Sequence, residues 1–317
     1  MKKKLLDIKQ LEANLIERCQ SMAKITIAVA HPCSEDALNG VIEAANEGLI
    51  EPILIGPIHK INAIAETIKA DVSRFELINV PHSDAAAEMA VKLVHQGKAQ
   101  AIMKGSLHTD EIMKEVVKRD GGLRTERRIS HVFIMARETY HKPFIITDAA
   151  INISPDLMTK RDIVQNAIDL MLVLNKDMMP KVGILSAVET INPAIQSTID
   201  AACLCKMADR GQITGAIVDG PFAYDNIISE KAAKTKNIRS TVIGDVDIYL
   251  VPNLEAGNLL AKQLAFLTDA FCAGMILGAK VPIVLTSRSD GVQSRISSCA
   301  IAVMMVNAKK LKDSTSD

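Results

Sequence analysis

Along this chain, short runs of consecutive apolar residues alternate with segments in which apolar positions recur every three to four residues. The runs "ITIAVA" (25–30), "EPILIG" (51–56), "FELINV" (75–80) and "AQAIMKG" (99–105) predict strands. The segments "SEDALNGVIEAANEGL" (34–49), "INAIAETIKA" (61–70), "SDAAAEMAVKLVHQG" (83–97) and "TDEIMKEVVKR" (109–119) predict helices, the first capped by Ser34 and the third ending at Gly97. Strands that are apolar along their whole length are buried on both faces. Their alternation with helices specifies a mainly parallel sheet with helices on each side.

The rhythm breaks once. "RRISHVFIMARE" (127–138) and "KPFIITDAA" (142–150) are separated by too few residues for a helix, which predicts a hairpin. The alternation then restarts. Helices are expected at 161–177, 194–211, 228–236 and 256–268, and strands at 181–187, 214–221, 246–253, 273–279 and 282–287. A long helix over 291–311 follows. The break near residue 150 divides the chain into two α/β units, and 317 residues suffice for two cores.

Composition narrows the function. Lys plus Arg number 37 and Asp plus Glu 37, so no net positive charge is available for a generic nucleic-acid surface. No run approaches the length of a membrane span, and the charged N-terminal segment reads as an amphipathic helix rather than a signal peptide. The partners expected are therefore neither nucleic acid nor membrane. The six cysteines form no Cys-x-x-Cys pair and read as small buried hydrophobes, which fits a reducing, cytoplasmic setting. The seven histidines lack zinc-type spacing, so no metal is expected. Aromatics make up 3% of the chain, so the core is aliphatic.

Candidate chemistry lies after the strands, because ligands of parallel α/β sheets bind beyond the strands' carboxyl ends. There stand Lys104, Gly105, Ser106, His108 and Thr109; Asp148; Glu189 and Asn192; Asp219, Asp225 and Asn226; Asn253, Glu255 and Asn258; and Ser287, Arg288 and Asp290. Each loop taken alone also reads as helix caps and tight turns. Arg288 is the least cap-like, since a cation ahead of a helix opposes the helix dipole. His31 and His108 read as packing or hydrogen-bonding residues.

Five of these stretches, "MKGSLHT", "GLRTERRISHV", "VDGPFAYDN", "VPNLEAGNLL" and "PIVLTSRSD", together resemble the phosphate acyltransferases, the phosphate acetyltransferase and butyryltransferase family. The forms "KGSLHT", "DGPFAYDN" and "TSRSD" look closer to the butyryl branch. The resemblance implies reversible acyl transfer between coenzyme A and inorganic phosphate, with no cofactor beyond these substrates. It also implies a homodimer of two doubly wound α/β domains with a cleft between them, similar to isocitrate and isopropylmalate dehydrogenases. On that basis the domains are expected to be 1–148 with 290–317, and 149–289.

By the same resemblance Ser287 and Arg288 match a catalytic Ser-Arg pair. Arg288 would bind the phosphoryl group together with Gly105, Ser106, His108 and Thr109. Ser287 would donate to the oxyanion, and Asp290, the nearest carboxylate, would take the thiol proton. Lys104, Asp219, Asn226, Asn253, Glu255 and Asn258 are expected to contact acyl-CoA or to support the site. The chain departs from the acetyl branch at Ser294, where that branch has an Asp, and at Lys114, near where it has an Arg. The alternatives are a metal- and NAD-dependent dehydrogenase of the same fold, and a non-catalytic acyl-CoA-binding protein.

Overall fold

The computed structural model describes residues 6–268, 270–286 and 291–315. In chain order its elements begin with α1 (Ile8–Gln20), β1 (Ile25–Ala30), α2 (Glu35–Asn46), β2 (Ile50–Gly56), α3 (Ile58–Thr67), β3 (Glu76–Asn79), α4 (Ser83–His95), β4 (Ala101–Lys104) and α5 (Thr109–Val116). They continue with β5 (Ser130–Ala136), β6 (Phe144–Thr147), α6 (Leu157–Leu174), β7 (Lys181–Leu185), α7 (Gln196–Asp209), β8 (Ile217–Phe222), α8 (Tyr224–Ile228), α9 (Glu230–Thr235), β9 (Ile248–Leu250) and α10 (Leu254–Leu267). β10 (Phe271–Leu277), β11 (Ile283–Val284) and α11 (Val292–Thr315) complete the chain.

Two compact units result, one formed by Lys9–Arg127 with Ala273–Asp317 and the other by Met1–Ile8 with Arg128–Cys272. The sequence reading set its breaks at 148/149 and 289/290. Hydrogen bonding explains the different positions. β5 and β6 form the expected antiparallel hairpin, but β6 also runs parallel to β9, so the hairpin goes with the later segment. β11 pairs parallel with β4 and antiparallel with β10, so those two strands go with the earlier one.

In the unit that contains β1, the strand order is β3-β2-β1-β4-β11-β10, parallel except for β10. All four positions of β4 are buried, as expected of a central strand flanked on both faces. α11 returns to pack on α2 and β11. Its residues 295–304 are all buried, the mark of a helix enclosed on every side. Gly40 of α2 permits this approach: a Cβ there would lie 2.5 Å from Arg295 Cδ.

In the other unit the order is β5-β6-β9-β7-β8. Its core gathers Tyr140, Phe144, Phe222 and Tyr249 with aliphatic partners, and Tyr140 and Phe144 meet edge to face at 5.5 Å. β7 is crossed closely by α8, a helix absent from the periodicity reading. A Cβ at Gly183 would lie 1.9 Å from Ile227 Cδ1. α10 begins at Leu254, ahead of the expected Ala256, because Asn253 supplies the cap: its Oδ1 accepts from Ala256 N at 2.9 Å.

At the amino ends of β6, β7 and β9 two aspartates collect three basic side chains. Asp245 accepts from His141 Nε2 at 2.7 Å and Lys181 Nζ at 2.6 Å, and Lys142 Nζ lies 3.0 Å away. Lys142 also pairs with the buried Asp247 at 2.7 Å. Burial, the largest influence on Asp245, pushes its carboxyl up. The hydrogen bonds from Lys181, His141 and Lys142 outweigh it and hold the group well below the ordinary carboxylate range. A carboxyl more acidic in the folded chain than in the unfolded one stabilises fully above the unfolded value, about 3.9, and loses that contribution as pH falls toward the folded value. Asp245→Asn is therefore expected to lower the melting temperature at pH 7. The gap to the parent should narrow in melts recorded below about pH 4, as the parent loses the contribution the variant already lacks.

Candidate active site

The unit containing β1 places its chemistry where β1, β4 and β11 end. β4 and β11 are parallel neighbours, with Met103 opposite Val284. Their continuations, Lys104–Gly105 and Leu285–Thr286, therefore leave the sheet side by side. Ser287, Arg288 and Asp290 follow directly and lie outside the described residues.

The loop after β4 is held against the end of β1. Gly105 N donates to Ala30 O and Ser106 N to His31 O, each at 2.9 Å. Ser106 Oγ donates to His31 O at 2.9 Å and lies 3.0 Å from His31 Nδ1. His31 adopts a left-handed backbone, φ +56°, which few non-glycine residues do. Burial, reinforced by the Lys60 ammonium, lowers the pKa of its imidazole, so the ring is neutral at pH 7. Gly105 is required by space: a Cβ would sit 2.4 Å from His31 O and 2.6 Å from Ala30 O.

Glu111 ties the starts of two helices together. Its Oε2 accepts from His108 N at 2.5 Å, and its Oε1 accepts from Ser83 Oγ at the first turn of α4. Burial raises this carboxyl, but those two hydrogen bonds and the nearby imidazoles prevail, and its pKa is lowered. The amides of Gly105, Ser106 and His108 are thus engaged within the protein. They shape the loop that presents Thr109, the first residue of α5. Lys104 is buried, with Nζ 3.4 Å from Gly105 O, while Lys114 is exposed on α5. Ser294 Oγ is buried and has no hydrogen-bond partner among the described residues.

The remaining candidates fall in the other unit, also beyond its strands. Asp148 is buried and accepts from Ala150 N, Ile151 N, Asn152 N and Asn152 Nδ2, so it organises its own loop. Asn192 Oδ1 accepts from Ala194 N and Asp219 Oδ1 from Gly220 N, both local turns. Asn226 is fully buried. Its Nδ2 donates to Glu189 Oε2 at 3.0 Å, where Lys236 Nζ also arrives at 3.0 Å. The Lys236 hydrogen bond comes first among the causes that lower the Glu189 pKa. Because a carboxylate accepts only, the Asn226 amide must face it with nitrogen, which leaves Oδ1 without a partner among the described residues. Asn258 Nδ2 donates to Ala149 O at 3.3 Å, Gly257 lets α10 approach Ala149 and Val251, and Glu255 is exposed.

Glu111 is the residue of this loop that the sequence reading did not assign, although it had a legible signal, an acid three positions after the cap position of a helix. His31, read as a packing or hydrogen-bonding residue, meets Ser106, 75 positions away. All six cysteines are free, but only Cys19 and Cys299 are buried and the other four are half-buried, which corrects the reading of them as buried hydrophobes; burial raises the thiols of Cys19 and Cys33 to about 11 and of Cys205 and Cys299 to about 12.

The family model described as "Phosphate acetyl/butaryl transferase" matches residues 81–303. The chain belongs to this family. It is 55% identical over 290 residues to a phosphate acetyltransferase of Rhizobium meliloti, covering 92% of each chain. It is 40% identical over 292 residues to a phosphate butyryltransferase of Clostridium acetobutylicum, covering 92% of this chain and 96% of that one. Among solved structures, a branched-chain phosphotransacylase from Enterococcus faecalis V583 superimposes with a TM-score of 0.76 at 32% identity, over 89% of this chain and 99% of that one. The lean toward the butyryl branch is corrected by these figures, since the acetyltransferase is the more identical over the same share of the chain.

The crowded turn at Gly105 yields a prediction for this family member. Gly105→Ala presses a methyl group into two backbone carbonyls that have no rotamer to escape to. It should cost about 1–3 kcal/mol in urea unfolding. The same substitution at the open position Gly97, where a Cβ meets nothing but φ is +70°, should cost only the backbone strain, about 1 kcal/mol.

Proposed function

We propose that this chain catalyses the reversible transfer of a short acyl group, acetyl or butyryl, between coenzyme A and inorganic phosphate, with Ser287, Arg288 and Asp290 as its reacting residues. The observation that carries the residue assignment is the parallel pairing of β4 with β11. It starts the segment bearing Ser287 and Arg288 beside the loop that leads to Thr109. The family match and the 55% identity to a named acetyltransferase favour acyl transfer over an NAD-dependent dehydrogenase or a non-catalytic acyl-CoA binder.

In the proposed mechanism Arg288 holds phosphate by paired N–H donors, assisted by the Thr109 hydroxyl and the first turn of α5. Gly105, Ser106 and His108 keep that turn in shape. A phosphate oxygen attacks the thioester carbonyl, and the Ser287 hydroxyl donates to the oxyanion of the tetrahedral intermediate. Collapse expels the coenzyme A thiolate, which takes from Asp290 the proton that this carboxylate has received from the attacking phosphate. In the reverse direction Asp290 removes the thiol proton so that sulfur can attack the acyl phosphate. Lys104 supports the phosphate loop from beneath. Asp219, Asn226, Asn253, Glu255 and Asn258 contribute acyl-CoA contacts or support, with the Asn226–Glu189–Lys236 link as the most deeply held of them.

The proposal extends to a cytoplasmic homodimer. Six free cysteines suit a reducing compartment. Exposed Leu259, Phe266 and Leu267 on α10 favour self-association. Among the described residues no helix is long and apolar enough to cross a membrane.

Release of coenzyme A from acetyl- and butyryl-CoA in the presence of phosphate tests the activity. Arg288→Ala should raise KM for phosphate and lower kcat, because it removes contacts made in both ground and transition states. Ser287→Ala should lower kcat by on the order of 10²-fold with little change in KM. In the reverse assay, acyl phosphate plus coenzyme A, Asp290→Asn should lose most activity at low pH and recover toward the thiol pKa, about 8.5, where free thiolate replaces the base. Near-normal kcat for Asp290→Asn at every pH would remove Asp290 from the mechanism.

A further inference from the structure

We propose that Arg295 is a positioning residue for acyl transfer: from inside the unit it fixes the end of β11, and with it the start of the segment that carries Ser287 and Arg288. The inference rests on the reading of that pair as the reacting residues.

Two physical penalties meet at Arg295. Its side chain is 2% exposed, and a buried guanidinium forfeits its hydration. It also stands in the first two turns of α11, where the helix dipole disfavours a cation. An aliphatic residue of similar size would avoid both penalties, so packing does not account for a cation here. What the head group engages does. Nη1 donates to Thr286 Oγ1 at 2.7 Å, and Thr286 is itself only 1% exposed. Thr286 is the residue immediately before Ser287, two positions beyond the Val284–Met103 pairing.

The arm is held as well as the head. Gly40 of α2 faces it, and a Cβ at that position would lie 2.5 Å from Arg295 Cδ and 2.9 Å from its Cβ. The planar fork of an Arg presents its donors in fixed directions, which a Lys ammonium does not. Arg295 thus links α11 to the end of β11 across residues 287–294. That holds Thr286, the last described residue before Ser287. Arg295 contacts Thr286 and α2, and acts on the reaction through them. Catalysis is sensitive to such aim, since a misplacement of about 1 Å costs on the order of 10²-fold in rate.

The test is steady-state kinetics on folded enzyme, well below each variant's melting temperature. Thr286→Val keeps the side chain's shape and removes the acceptor. It should lower kcat by about ten- to a hundredfold with KM for acyl-CoA unchanged. Thr286→Ser keeps the hydroxyl and should restore kcat to within about twofold of the parent. Gly40→Ala, which crowds the arm from the opposite helix, should lower kcat in the same way. If Thr286→Val fails to fold, Arg295→Lys gives the same reading, with a fall in kcat expected. A lower melting temperature with unchanged kcat in Thr286→Val, or in Arg295→Lys where that variant is used, would overturn the inference and leave Arg295 a structural residue. Arg288→Ala separates the two levels. If it loses activity while Thr286→Val does not, only the role of Arg295 falls. If Arg288→Ala keeps parental kcat, the reacting pair is misassigned and the inference falls with it.

Discussion

The pairing of β4 with β11 is the constraint on which the proposed chemistry depends. Parallel neighbours in a sheet release their following loops at the same edge. Here one loop comes from the early part of the chain and the other from the late part, so neither sequence neighbourhood contains the site alone. The pairing of Ile102–Met103 with Ile283–Val284 brings the starts of both loops together. α11 then covers β11 and returns its buried face to α2.

Polar residues at the strand ends serve the architecture before they serve a ligand. The loop after β4 uses three of its amides on Ala30, His31 and Glu111. Asp148 satisfies three backbone amides and one carboxamide, and Asn253 caps α10. Such engagement is what buried backbone requires, and it makes the loops rigid enough to present the few groups left over. Asn226 shows the reverse case, a fully buried carboxamide with one end tied to Glu189 and the other without a partner among the described residues. A buried polar atom left so is costly, and sites where substrate supplies the missing donor are where that cost is tolerated.

Much of this was legible in the sequence. Apolar runs and helical periodicity located β1, β2, β4, β7 and α2, α4, α7 because burial on both faces leaves a continuous apolar signature. Tertiary partners hid the rest. The antiparallel direction of β10 follows from its pairing with β11, which no local pattern encodes. The start of α10 was read two residues late because Gly257 and Asn258 have the chemistry of a cap; Asn253 has it too, and only the Ala256 hydrogen bond distinguishes them. Among candidate site residues, Ser287, Arg288, Lys104 and Asn226 stood out as polar groups after strands. Arg295 did not, since its meaning lies in partners on other elements, Thr286 and Gly40.

The split origin of the unit that holds β4 has a consequence for its biosynthesis. Until β11 is made, β4 is the edge of its sheet, apolar on both faces and with one row of backbone groups unpaired. Such an edge invites pairing with other chains. The roughly 180 residues between Lys104 and Ile283 occupy a ribosome for on the order of ten to forty seconds at about 5–20 residues per second. Through that interval the nascent protein carries an open, adhesive strand, and the segment that later brings the proposed reacting residues is also the one that closes it. Acquisition of activity and loss of aggregation risk are therefore one event in the life of the chain.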